Sequence, residues 1–367
     1  MAVNRAIHVA ALAALLIAAA PPEPTARGFQ VAGMRIASFH AGSVRCGGQA
    51  QVPIRAVSPL PTASSAPDAG EPIRFGFRID QEGRPLGIRR LGGAARPALD
   101  ERDLAPALAA WRFAPGAPQA DCELGFEVQL DSVESANDAL LQRYAALGRM
   151  QIPGTSGAAL VHRAFARLRP PGATCLTDPT PSAPITLRYR EIPEIPGGIS
   201  YSMFSYDVDA DGRPVHIRLL GSSGNRALDV AGDGALGAAR FPAEPRTGCL
   251  HYFFRNNVEA VPAPPGLPKQ KHLGGPECDE EVARRAGAQF EIRYPVEFLR
   301  RPAEAWVVLS YDISPSGELT NLRVIDSEPA ARFGEEVVRA AGAVRVTGVE
   351  RPQRGCVQRV RFVVPEP

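Results

Sequence analysis

Six cysteines stand in register with three glycine-bearing turns, and this regularity limits the possible folds more than any other feature of the chain. Cys46 lies 37 residues before Gly83 in DQEGRP, and Cys122 lies 39 after it. Cys175 and Cys249 each lie 37 residues from Gly212 in DADGRP, while Cys278 and Cys356 each lie 39 from Gly317 in SPSGEL. The register singles out Cys46–Cys122, Cys175–Cys249 and Cys278–Cys356 from the many pairings that six cysteines allow. Metal binding is the competing use, but no C-x-x-C pair occurs and the six histidines are scattered. A disulfide closing a loop of about 75 residues contributes up to about 4.5 kcal/mol in the loop-entropy model. Units of about 80 residues bury small cores and gain from such a staple.

The three units read as strand, turn, strand, helix, strand. The first strand of the first unit alternates, with Ile73, Phe75, Phe77 and Ile79 on one face; the matching positions are Ser202, Phe204, Tyr206 and Val208 in the second unit and Val307, Leu309, Tyr311 and Ile313 in the third. The turn leads to a second strand, LGIRRLG, VHIRLLG or LTNLRVI. A helical stretch follows, with Leu104, Leu108 and Trp111 on one face in the first unit and Phe333, Val337, Ala341 and Val344 in the third. The second unit reads LDVAGDGALGAARF there, and its interior glycines argue against a helix. Each unit closes on a strand beginning at its second cysteine. The second of these, HYFFRN, is apolar on both faces, which predicts burial on both sides; an exposed binding strip is the other reading.

The turn of the middle unit, in SYDVDADGRPVHIRLLGSSG, opens like a calcium loop with Asp207, Asp209 and Asp211 before Gly212. A full loop needs a bidentate carboxylate at its twelfth position and helices on both sides. Arg218 stands there, and the flanks alternate as strands do. The expectation is a hairpin closed by an Asp-Gly turn, with no metal site.

The formal charge is +2 and only Lys269 and Lys271 are lysines, so no bulk field points to nucleic acid. An apolar run from Ala6 to Ala20 follows Arg5, which reads as a secretory signal cleaved near residue 26, with an uncleaved anchor as the alternative. Fifteen residues of helix rise about 22 Å, short of the roughly 30 Å hydrocarbon core. The expected compartment is therefore the periplasm. Residues 259–276 are rich in proline and glycine and read as a linker; ESANDALLQRYAALGRM and ALVHRAFARLR, between the first two units, read as helical. A proline- and serine-rich insert, SPLPTASSAPDAGEP, lengthens the approach to the first unit.

Nothing in the sequence has the form of a catalytic site. GTSG at 154–157 and GSSG at 221–224 lack the G-x-S-x-G elbow, and no P-loop, dinucleotide fingerprint or H-E-x-x-H occurs. With the cysteines in disulfides no thiol nucleophile is left. The expectation is no catalytic residue, no cofactor and no small-molecule substrate.

LAAWRFAP at 108–115 looks like the Trp-Arg-Phe-x-Pro helix end of the TonB C-terminal domain family. DADGRPVHIRLLGSSGNRALD at 209–229 is similar to that family's Asp-x-Asp-Gly turn followed by Ser-Ser-Gly and Leu-Asp, and RYP at 293–295 to the Tyr-Pro before its first strand. Tyr189 and Tyr294 each precede their turn glycine by 23 residues. The resemblance covers most of the chain after residue 45, thinly in each copy, and the cysteine pairs depart from it. It implies an α+β fold of three tandem small domains, each an antiparallel sheet with a helix packed on one face. The domains span 27–132, 133–258 with a helical lead-in, and 277–367. The resemblance further implies a protein-binding module of the cell envelope that adds an extended peptide, from an outer-membrane receptor or another envelope protein, to a sheet edge. The matching edge here is Gln358, Arg359, Val360, Arg361 and Phe362; an ordinary edge guarded by Arg359 and Arg361 is the plainer reading. An inner-membrane-anchored energy transducer is the alternative function. Such transducers carry a serine and a histidine in the membrane helix, and here Asn4 and His8 stand at those places.

Overall fold

Alternating apolar residues build each sheet of this protein, and a computed structural model describes residues 33–148, 157–255, 259–266 and 277–364. The expected signal segment, 1–26, lies outside the described residues. Three antiparallel sheets are present, each with a helix packed against it, as expected.

The first sheet contains β1 (Arg35–Ala41), β2 (Val44–Cys46), β3 (Gln49–Gln51), β4 (Thr62–Ser64), β5 (Ile73–Ile79), β6 (Pro85–Leu91) and β7 (Gln119–Asp131), with α1 (Leu104–Ala109) between the last two. The second has β8 (Tyr201–Val208), β9 (Pro214–Ser222), α4 (Arg226–Ala238) and β10 (Arg246–Phe254), preceded by α2 (Asp138–Leu147) and α3 (Gly157–Leu168). The third has α5 (Glu280–Gly287), β11 (Ala305–Ile313), β12 (Leu319–Glu328), α6 (Ala331–Gly342) and β13 (Gln353–Phe362). In the second and third sheets the first strand is central, giving the orders β10-β8-β9 and β12-β11-β13. Ile73, Phe75, Phe77 and Ile79 are buried as the alternation predicts, and so are Val307, Leu309, Tyr311 and Ile313. Disulfides join Cys46–Cys122, Cys175–Cys249 and Cys278–Cys356. Such bonds belong to chains of oxidising, non-cytoplasmic compartments. No helix among the described residues is long and apolar enough to cross a membrane.

The three hairpins share one piece of backbone chemistry. Gly83, Gly212 and Gly317 have φ of 75°, 72° and 82°. Each offers its carbonyl to the amide of a residue just past the helix: Phe113 at 2.8 Å, Phe241 at 2.8 Å and Val346 at 2.9 Å. A Cβ at any of the three would strike the carbonyl oxygen of that same residue. Glycine is thus required twice, by conformation and by space. The arginine before that residue caps the helix end in two units: Arg112 donates to Ala109 and Trp111 carbonyls, and Arg240 to Ala238 and Ala239 carbonyls. This is the local work of the Trp-Arg-Phe stretch.

One expectation is corrected. The glycine-rich segment of the second unit is helical, forming α4 over 13 residues. Asn225 caps its start by accepting the Leu228 amide at 3.2 Å. Gly232 sits where Phe253 and Phe204 press on the helix, and a Cβ would stand 2.8 and 2.9 Å from their rings. Close packing against the sheet outweighs the propensity cost of the glycine.

The units are not beads on a string. The three sheets belong to one compact unit. The first and third share a single core in which Trp111 and Phe126 are joined to Phe298, Phe333 and Phe362. The α2–α3 pair lies over the second sheet, so Tyr252 and Phe254 are covered on one face, with Phe165 5.6 Å from Tyr252, while Phe253 packs on Phe204 on the other. Phe253 is buried on one face and Tyr252 and Phe254 are half-buried on the other, so the strand is covered on both faces, as the sequence predicts. Residues 259–266, at the start of the proline-rich stretch, lie against the third unit: Val261 bridges Ala303, and the Pro264 carbonyl accepts the Trp306 indole at 3.0 Å. The insert at 58–72 contributes β4, which pairs with β1. At the meeting point of all three units Arg301 is almost wholly enclosed. It donates to Asp103 at 2.8 Å, to the Ser58 carbonyl at 3.0 Å and to the Gly197 carbonyl at 2.7 Å.

Candidate partner-binding edge

The last strand of each unit begins three residues before its second cysteine, at Gln119, Arg246 and Gln353, earlier than the sequence suggests, and what flanks its outer side differs between the three. In β13, Val360 and Phe362 turn inward; Phe362 packs 4.9 Å from Phe333, ring centre to ring centre. Arg361 is exposed and reaches Glu304 at 3.4 Å. On its inner side β13 pairs with β11 in the register Trp306–Arg361, Val307–Val360, Val308–Arg359 and Leu309–Gln358. Gln358 leaves no room for a Cβ at Gly287, which sets α5 against this strand. The five residues Gln358, Arg359, Val360, Arg361 and Phe362 thus lie on the terminal strand of the third sheet, and no strand of the described residues pairs with its outer side.

In the first unit the corresponding strand is not terminal. β7 pairs with β5 on one side; on the other it takes β2, with Arg45 opposite Glu123, and then β1, with His40 opposite Glu127 and Ile36 opposite Asp131. The Gly42 amide completes the ladder by donating to the Gly125 carbonyl at 2.9 Å. Counted from the cysteines, Glu123 and Glu127 correspond to Val357 and Arg361 of β13. The first unit therefore carries, within its own chain, an extended antiparallel strand on the edge that ends the third sheet.

In the second unit β10 is terminal too, but its outer side is partly occupied. Thr247 offers its carbonyl to the amides of Thr174 and Cys175, and Asp178 accepts the Leu250 amide at 3.1 Å. The third unit has a shorter version of this cover, the Arg354 amide donating to the Glu277 carbonyl at 3.1 Å. At the place of Asp178 stands Glu281, which pairs with Arg284 on its own helix instead.

The carboxylates of the acidic turn serve the backbone. Asp209 accepts the amides of Asp211 and Arg213 at 2.9 and 2.8 Å, as Asp80 accepts those of Glu82 and Arg84 in the first unit. Asp207 accepts the Gly248 amide at 2.8 Å and meets His216 at 2.9 Å. Burial alone would raise the Asp207 carboxyl, yet the Gly248 amide and His216 hold it below the usual carboxylate range. Asp312 repeats the arrangement with Asn321 and the Gly355 amide, and is likewise held low. No group of three potential metal ligands occurs among the described residues.

Sequence reading missed β1 to β4. A signal for part of them was present: VRC and QAQ flank Gly47-Gly48, a two-glycine hairpin turn, and both glycines have positive φ.

No family model and no curated protein matches the chain. Among solved structures it is similar to the TonB2 protein of Vibrio anguillarum, with 24% identity over 28% of this chain and 95% of that one, at a TM-score of 0.20. At that score the likeness is weak and neither the fold nor the site rests on it.

Proposed function

We propose that this chain is a protein-binding module of an oxidising envelope compartment. In this reading the outer edge of β13 receives an extended segment of a partner protein, from an outer-membrane receptor or another envelope protein, as an added antiparallel strand. The observation that carries the reading is the pairing of β1 and β2 with β7. It supplies, within the same molecule, a template for a strand added beside the corresponding edge. Main-chain hydrogen bonds provide affinity in such recognition, and alternate side chains provide selectivity. The motifs similar to TonB C-terminal domains agree with it, as do three disulfides that keep small units folded outside the cytoplasm. The first and second units then serve as scaffold, the outer side of β7 paired with strands of its own chain and that of β10 partly occupied.

Photo-crosslinking in the native envelope tests this. A crosslinker replacing Arg361 should give discrete protein adducts, and one replacing Leu219, exposed on the terminal strand β9 of the second sheet, should not. Equal adducts from both positions, or none from 361, would end the strand-addition reading.

A further inference from the structure

A cavity of about 290 Å³ opens where the three units meet. Its wall takes Val57 and Ser58 from the first unit, Arg143 from α2, Ile199 and Tyr201 from the second unit, and Arg301 from the third. Two guanidinium groups therefore face one concavity. Arg301 is balanced by Asp103, whose other contact is the Leu60 amide at 2.7 Å. Arg143 has no such balance. Its Nη2 donates to the Ser58 and Pro59 carbonyls at 2.9 and 2.7 Å, while Nε and Nη1 have no partner among the described residues. The Tyr201 hydroxyl has none either, since the bonds of this residue run through its backbone. Burial, then the nearby Arg301, pushes the Arg143 guanidinium below the usual arginine range. A compensating anion would relieve both effects.

We infer that this cavity binds a small organic monocarboxylate, its carboxylate against Arg143 and the Tyr201 hydroxyl and its hydrocarbon part against Val57 and Ile199. Arg143, which forms no ion pair among the described residues, calls for a single negative charge, and with Asp103 and Asp229 nearby a dianion would be left unbalanced in a partly enclosed site. The apolar wall adds contact that an inorganic ion cannot use. At about 30 Å³ per small group the volume holds about ten heavy atoms, the lower end of small-molecule sites. Because the wall draws on all three units, the ligand would also brace their arrangement.

Benzoate, titrated into the full chain by calorimetry, is the probe, with inorganic phosphate as the contrast. Saturable benzoate binding is expected, weakened at least about tenfold in Arg143→Met, the loss of a charge-assisted hydrogen bond. Arg143 also holds two carbonyls, so Ala56→Trp provides a second variant; Ala56 is an exposed residue of the cavity wall that takes no part in the Arg143 bonds, and the added bulk should weaken benzoate binding while leaving the thermal midpoint unchanged. Absence of saturation at millimolar benzoate, binding unchanged in both variants, or phosphate binding in preference to benzoate would each overturn the assignment.

Discussion

At the scale of single residues, a glycine with positive φ can be required for conformation alone or for space as well, and this chain contains both cases. Gly212 has φ of 72° and lies under the Phe241 carbonyl, whereas Gly224 has φ of 89° and open space around it. Alanine at either incurs the left-handed penalty of about 1–2 kcal/mol. Only at 212 must the hairpin also lift off the helix end, breaking the 2.8 Å bond from the Phe241 amide. Gly212→Ala should lower the unfolding free energy by at least about 2 kcal/mol beyond the effect of Gly224→Ala. Urea midpoints at unchanged slope would measure this, and equal shifts would show that the Gly212–Phe241 contact contributes nothing. The same contact explains why the motif was only half legible. An Asp-Gly turn can be read locally, but its receptor lies 29 residues further along the chain, and no local pattern announces it.

At the scale of elements, periodicity identified what periodicity governs. The apolar alternation of β5, β8 and β11 and the helical stripe of α6 are local properties of the chain, and the structure places them as read. The disulfides were legible because three copies of one spacing constrain each other. What remained hidden depends on neighbours distant in sequence: β1 and β4 are strands only because β7 and one another provide partners. The edge status of β13 came only from the family resemblance and not from its own residues, since it is a statement about what does not lie beside it. Helix α4 is the clearest case of packing over propensity, and it separates its glycines. A methyl group added at Gly234 would have nothing within 4 Å, so Gly234→Ala should stabilise by about 0.5–1 kcal/mol, the ordinary helix gain. Gly232→Ala carries the same gain but forces apart Phe204 and Phe253, so its net effect should be destabilising by about 1–3 kcal/mol. Thermal denaturation of the two variants should move in opposite directions; a stabilising Gly232→Ala would mean that the helix does not press on the sheet as described.

At the scale of the molecule, the first and third units are joined by an exchange of roles. In the second and third units an acid on the first strand, Asp207 or Asp312, meets a positive-φ residue on the second, His216 or Asn321. In the first unit the corresponding residues are Arg78 and Gly87, which cannot pair in that way. The acid comes instead from the third unit: Glu328 is fully buried, forms an ion pair with Arg78 and accepts the Gly87 amide at 2.6 Å, while the Ile88 amide donates to the Pro329 carbonyl at 2.9 Å. Burial pushes the Glu328 carboxyl up to about 7; Arg78 and the Gly87 amide oppose this, and Asp326 adds to it. A carboxyl raised on folding favours the protonated folded state. Its stabilising contribution is therefore complete below the unfolded value near 4.5 and is lost as pH rises through about 7. The change is on the order of 3 kcal/mol. Glu328→Gln keeps an acceptor for Gly87 and removes the titration. Between pH 5 and pH 8 the wild-type protein should lose stability relative to this variant by about that amount, read from urea midpoints at the two pH values. Parallel curves would mean that Glu328 stays ionised throughout, held by Arg78 more firmly than burial opposes it. A relative loss of that size would make the Glu328 contact between the first and third units a source of stability that is given up as pH rises through about 7.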